Sequence, residues 1–296
     1  MEKNLKTEKS EKTLKIANVI VLAGQSNAVG VGYTKYLSSS FDENTVKRFY
    51  DGYEKILIDY CSHGIESKGF VKTRVNCTEA AKDTFGPELG IAKNLTARYP
   101  DEEFFIVKCA YGGASLHNDW ISPSGGGGYS PLACAAEYPD IVQALNSGKR
   151  PTAGWCYNEF VCLLRGSLAR LEERGYLPKI RAFFWMQGES DSYSQELVES
   201  YVGWYDGLLR DFRTTFSAYL QDCVYVDGGI SQNWKYYRRL NELKKAYAER
   251  TGGIFLDTVA MGLTTTKEPY EAPDVAHYDS ESTVRLGEAF AENLRV

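Results

Sequence analysis

Apolar residues follow two rhythms along this chain. Residues 17–23 (ANVIVLA) form an unbroken apolar run ending at Gly24, the pattern of a strand buried on both faces. Residues 103–110 (EFFIVKCA) and 180–186 (IRAFFWM) repeat it, and shorter runs occupy 223–227 and 253–257. Between these runs the spacing turns helical, over 86–98, 154–175, 196–216, 232–250 and 280–294. The first of these helices opens on Gly86-Pro87-Glu88; proline in the first turn and an acid after it suit a helix start. Residues 46–50 and 55–58 read as short strands in a less regular stretch. Strands alternating with helices imply right-handed crossovers, a mainly parallel sheet and helices on both faces. The expected architecture is a three-layer α/β/α sandwich on a mainly parallel five-stranded sheet. Residues 111–151 break the alternation, and Gly125 to Gly128 inside them suggest a surface loop or lid. No repeat or Pro/Ser-rich linker divides the chain. Residues 16–296 read as a single domain behind a flexible, lysine-rich polar tail at 1–15.

Composition narrows the classes of function. No stretch of about 18 apolar residues occurs, so no membrane span is expected. The 34 basic and 39 acidic residues leave a net charge of −5, and the tail is itself positive. An acidic domain is a poor partner for nucleic acid, so neutral substrates fit better than polyanions. The seven cysteines form no CxxC pair. They read as buried free thiols, and together with the polar start they favour a cytoplasmic protein. A secreted protein whose leader is missing from this chain is the alternative. The three histidines, His63, His117 and His277, make no metal-binding spacing, so no metal site is expected.

In open parallel sheets, sites lie at the carboxyl ends of the strands. Gly24-Gln25-Ser26-Asn27 follows the first run, Gly112-Gly113 the next, and Gln187-Gly188-Glu189-Ser190-Asp191 the third. Ser26 would present a hydroxyl at a helix start. The N–H groups of Ser26 and Gly113 and the Gln187 amide could receive an oxyanion. His277, three residues after Asp274, offers a base and an orienting acid within one turn. Singly, each has a plainer reading: a helix cap, a loop glycine pair, a strand-end polar residue, a surface turn. Together at consecutive strand ends they point to one site. Residue 28 is alanine, so the G-x-S-x-G elbow is not matched.

These blocks together resemble the SGNH-hydrolase superfamily. More closely they resemble its branch of sialate O-acetylesterase-like and acetylxylan esterases, carbohydrate esterase family six. The block Trp185-Met186-Gln187-Gly188-Glu189-Ser190-Asp191 is the most specific match and Asp274-x-x-His277 the least. The resemblance implies a serine esterase that removes O-acetyl groups from carbohydrate, acetylxylan or a related glycan, without metal or organic cofactor. Ser26 would be the nucleophile and His277 the base. Asp274 would orient His277, with Glu189 as the rival acid. Ser26, Gly113 and Gln187 would form the oxyanion hole. Gln25, Asn27, His117 and Trp120 are candidates for substrate contact, with Trp234 and Tyr129 weaker ones. The alternatives are a sialate O-acetylesterase, a lipase- or thioesterase-like hydrolase, and a non-catalytic carbohydrate-binding module. The expected partner is the acetylated sugar; no pattern speaks to oligomeric state.

Overall fold

The computed structural model describes residues 14–62, 65–75, 83–127 and 153–296. The expected tail at 1–15 therefore lies almost wholly outside the described residues, and His63, Cys77 and the whole 128–151 segment, with Tyr129 and Cys134, lie outside them entirely.

Strand β1 (Lys15–Gly24) leads into the one-turn helix α1 (Ser26–Val29). After β2 (Gly32–Tyr33) come α2 (Leu37–Ser40) and α3 (Glu43–Asp51). Strands β3 (Tyr53–Ser62), β4 (Ile65–Glu66), β5 (Val71–Thr73) and β6 (Thr84–Phe85) precede α4 (Glu88–Arg98) and β7 (Phe104–Ala110). Then follow α5 (Trp155–Glu173), β8 (Tyr176–Met186), α6 (Gln195–Thr215) and β9 (Leu220–Gly228). The chain closes with α7 (Tyr237–Thr251), β10 (Ile254–Leu256) and α8 (Ser280–Glu292).

The main sheet runs β10-β9-β8-β1-β7-β3-β4, with β5 also on β3. From β10 to β3 every pairing is parallel; only β4 and β5 are antiparallel. This is the mainly parallel sheet with flanking helices that the pattern implies, but it has eight strands rather than five. The added strands are β3, which contains the short strand expected at 55–58 and joins the main sheet, and the two short ones folded back on it. β1 sits at the centre, and its last eight residues are buried. Both its faces are covered by helices, which is why it reads as continuous apolar sequence.

One expected strand is a helix. Residues 46–50 lie within α3, whose start is capped by Asp42: its Oδ1 accepts from the Thr45 N–H at 3.0 Å and its Oδ2 from the Thr45 hydroxyl at 2.6 Å. Val46 and Phe49 are then three apart on one helix face, and Phe49 is fully buried, worth about 2 kcal/mol. A strand would have turned one of the two to solvent.

The expected lid is partly docked. The turn Pro123–Gly125 lies against α6, where the Ser124 N–H and hydroxyl both donate to Asp211, at 2.8 and 2.6 Å. The cysteines also divide. Cys61, Cys109 and Cys156 are buried free thiols and Cys223 is a half-buried one, whereas Cys162 is disulfide-bonded. The expectation of free thiols therefore fails at Cys162. Among the described residues no helix is long and apolar enough to cross a membrane.

Candidate active site

Gly24, Ala110, Ser62, Met186 and Gly228 stand level across the sheet, because Gly24 pairs with both Ala110 and Met186, and these pair with Ser62 and Gly228. The loops after β1, β7 and β8 therefore leave from one edge. A cleft of about 420 Å³ opens there. Gln25, Ser26, Gly112, Gly113, Ser190 and His277 line it, with Val29, Gly30, Val31, Thr84, Tyr193, Trp234 and Ala276.

Ser26 is the first residue of α1, so no preceding helical turn takes up its N–H. Gly24 must be glycine for this turn: its φ is +147°, and a Cβ there would lie 1.9 Å from the Met186 carbonyl oxygen. The Gln25 N–H continues the pairing by donating to that oxygen at 2.9 Å. At the other end of α1, the Lys108 ammonium donates to the Val29 carbonyl at 2.6 Å and to Glu88 Oε2 at 2.7 Å. The Gly86 N–H donates to Glu88 Oε1 at 3.0 Å. Both ionic side chains are completely buried. An ion pair sealed in the core thus holds the carbonyl end of the serine's helix.

His277 receives its partner from its own turn. Its Nδ1 lies 2.6 Å from Asp274 Oδ2, and the Ala276 N–H donates to Asp274 Oδ1 at 3.1 Å. A carboxylate at Nδ1 keeps the proton on that nitrogen and leaves Nε2 unprotonated. Glu189 meets a different environment. It is fully buried; its Oε1 accepts from the Asn27 amide at 2.7 Å and its Oε2 has no hydrogen-bond partner among the described residues. Burial pushes its carboxyl above the ordinary range, and the Asn27 hydrogen bond only partly offsets this.

Several sequence expectations need correction. Asn27 does not face substrate: it is buried, donating to Glu189 while its Oδ1 accepts from the Tyr278 N–H at 3.1 Å. It is a strut between the serine's helix and the residue after His277. Gln187 is not an available oxyanion donor. Its Nε2 meets Asp191 Oδ2 at 2.6 Å, Gln25 Oε1 at 3.1 Å and the Ala114 carbonyl at 3.2 Å. Its Oε1 accepts from the Tyr201 hydroxyl at 2.8 Å, and the side chain is wholly buried. Two N–H hydrogens facing three protein acceptors leave none for the cleft. Trp120 is core: it is fully buried and edge-on to Trp185 at 5.1 Å. His117 is half-buried outside the cleft lining, its Nδ1 2.8 Å from Asp191 Oδ1. Gln25 does reach the cleft wall, while its Oε1 accepts from the N–H groups of Gly188 and Ser190, at 3.4 and 3.1 Å.

Two further residues of the site have roles that no local pattern shows. Asp191 accepts from the N–H groups of Leu116 and His117, at 2.7 and 3.1 Å, as well as from Gln187, fastening the loop after β7 to the end of β8. Lys244 donates to the carbonyls of Gln187 and Gly228, at 2.7 and 2.6 Å, and pairs with Asp227 at 2.9 Å. A buried lysine in a helix of ordinary charge pattern is legible only in three dimensions. Asp191 is the last acid of the Gln187–Asp191 block, so its presence could be read though not its role.

The model of the family described as carbohydrate esterase, sialic acid-specific acetylesterase matches residues 16–295. Comparison with curated proteins returned no match. Among solved structures, a protein of Arabidopsis thaliana superimposes with a TM-score of 0.60 at 17% identity, covering 94% of this chain and 97% of that one. NanS gives 0.61 at 18%, covering 94% and 98%. A carbohydrate acetylesterase from Xanthomonas citri gives 0.53 at 13%, covering 93% of this chain and 54% of that one. At these identities the structural likeness establishes a shared fold.

Proposed function

The chain belongs to the carbohydrate esterase family of sialic acid-specific acetylesterases and is a carbohydrate O-acetylesterase; from that premise we propose that it deacetylates a neutral glycan such as acetylxylan, through an acyl-enzyme on Ser26. The observation that carries this reading is the Asp274–His277 pair at 2.6 Å, set in the same cleft as Ser26.

In the proposed reaction His277 Nε2 takes the proton of the Ser26 hydroxyl as Oγ attacks the acetyl carbonyl carbon. The C=O π pair moves onto oxygen, and the Ser26 N–H receives the oxyanion, with the Gly112–Gly113 turn lining the cleft beside it. As the intermediate collapses, the C–O bond to the sugar breaks. The imidazolium then returns its proton to the departing sugar oxygen. A water molecule then attacks the acetyl-serine carbonyl while His277 takes its proton; the acyl C–Oγ bond breaks, the imidazolium returns that proton to Ser26 Oγ, and acetic acid leaves, ionising to acetate in solvent. Asp274 keeps the proton on Nδ1 and stabilises the imidazolium.

Acetate release from acetylated xylan by wild type and Ser26→Ala tests the reading. The expected result is a loss of at least about 10³-fold in kcat for the variant. Activity equal to wild type would sink the serine mechanism. The family description favours one second reading, an O-acetylated sialic acid as substrate. Acetate release from acetylated sialic acid alone, with none from acetylxylan, would establish it instead.

A further inference from the structure

Tyr193 is one of the most solvent-exposed large apolar side chains among the described residues, at 60%, and it stands on the rim of the cleft rather than on the far surface. Trp234 stands beside it, edge to face, with ring centroids 5.7 Å apart. The two rings come from segments far apart in sequence that the backbone ties together: the Tyr236 N–H donates to the Ser192 carbonyl at 3.3 Å, and the Tyr237 N–H to the Trp234 carbonyl at 3.2 Å. The wall continues inward. The Asn233 amide donates to the Val275 carbonyl at 3.0 Å, and Val275 is followed by Ala276 and His277, which line the floor with Ser26. The cleft wall therefore passes from Tyr193 and Trp234 to the segment that carries His277.

Resting on the acetylesterase reading above, we propose that Trp234 and Tyr193 form the subsite for the pyranose ring that carries the acetyl ester: with their planes 83° apart, one ring stacks on the sugar's face and the other closes its edge. The C–H face of a pyranose is apolar, while its hydroxyl edge is wet. An aromatic face held beside the partly exposed Ser190 offers an apolar and a polar surface at once. Such a subsite selects by ring shape rather than by charge. It also lies outside the acyl-transfer machinery, so it acts on the sugar side of the ester bond.

The test compares two esters that share the acetyl group and differ in the leaving side: an acetylated xylo-oligosaccharide and 4-nitrophenyl acetate. In Trp234→Ala the loss of kcat/KM on the sugar ester should exceed the loss on the aryl ester by about tenfold or more, chiefly through KM. Trp234→Phe, which keeps a ring, should recover most of the difference. Tyr193→Ala, at an exposed position, provides a second variant that folding defects will not cloud. Calorimetric titration of xylotriose into Ser26→Ala and into Ser26→Ala/Trp234→Ala should show Kd weakened by about tenfold in the second. Equal losses on both esters, an unchanged Kd, or no binding of xylo-, manno- or gluco-oligosaccharides would each overturn the subsite. A Ser26→Ala protein that still cleaves both esters would overturn the mechanism and leave the subsite to the binding measurement.

Discussion

Asp274 is partly exposed in a turn it shares with His277, whereas Glu189 is sealed beneath the cleft. A carboxylate at hydrogen-bond distance from Nδ1 can balance an imidazolium as it forms. A buried one with an unpartnered oxygen resists ionising. The two therefore serve different ends. Asp274→Asn should lower kcat/KM by about 10²- to 10⁴-fold, because an amide at Nδ1 no longer fixes the tautomer. Glu189→Gln should cost less than about tenfold, since its carbonyl oxygen can still accept from Asn27. Steady-state kinetics of both variants on one aryl ester decides; a more damaging glutamate change would reverse the assignment. Ser26, Asp274 and His277 could all be named as candidates from sequence, because each stands in one of two short motifs. Gln187 was nameable too, but its role was not: whether an amide faces a cleft or a neighbour depends on what folds over it.

At the scale of elements, α1 is one turn long and has little stability of its own. It is held by its surroundings, above all by the buried Lys108–Glu88 pair at its carbonyl end. Lys108 interrupts an otherwise apolar strand, and Glu88 sits in the Gly86-Pro87-Glu88 opening of α4. Each is visible in the sequence, but their pairing across 20 residues is not. Lys108→Met should destabilise the fold by about 3–5 kcal/mol, read from the urea midpoint, because it removes the buried cation that faces the Glu88 carboxylate. Adding Glu88→Gln should recover part of that loss. A single variant as stable as wild type would show that the pair contributes nothing. The misreading of residues 46–50 belongs to this scale as well. A five-residue apolar pattern fits either period, and the cap at Asp42 together with the burial of Phe49 settles it.

The molecule as a whole buries carboxyls that it does not fully pair. Burial pushes Glu159 up to about 7 and Asp227 to about 6, against ordinary values of 4.5 and 3.8. Between those limits the folded chain holds protons that the unfolded chain releases. Raising the pH through this window therefore favours unfolding, and the full penalty is present above about 7. The melting temperature should be higher at mildly acidic than at mildly alkaline pH, and Glu159→Gln should narrow the difference. An identical pH dependence in that variant would remove Glu159 as its source. The order of strands and helices, the polar strand ends and the serine and histidine motifs were set by the sequence itself, because hydrophobic period and turn chemistry are local properties. Tertiary structure alone decided which polar groups face the cleft and which are spent inside. Asn27, Gln187 and Trp120 went inward, while Tyr193 and Trp234 were left at the mouth. The physical reason is that a side chain's hydrogen-bond partners and its access to water come from distant segments, and no local pattern encodes them.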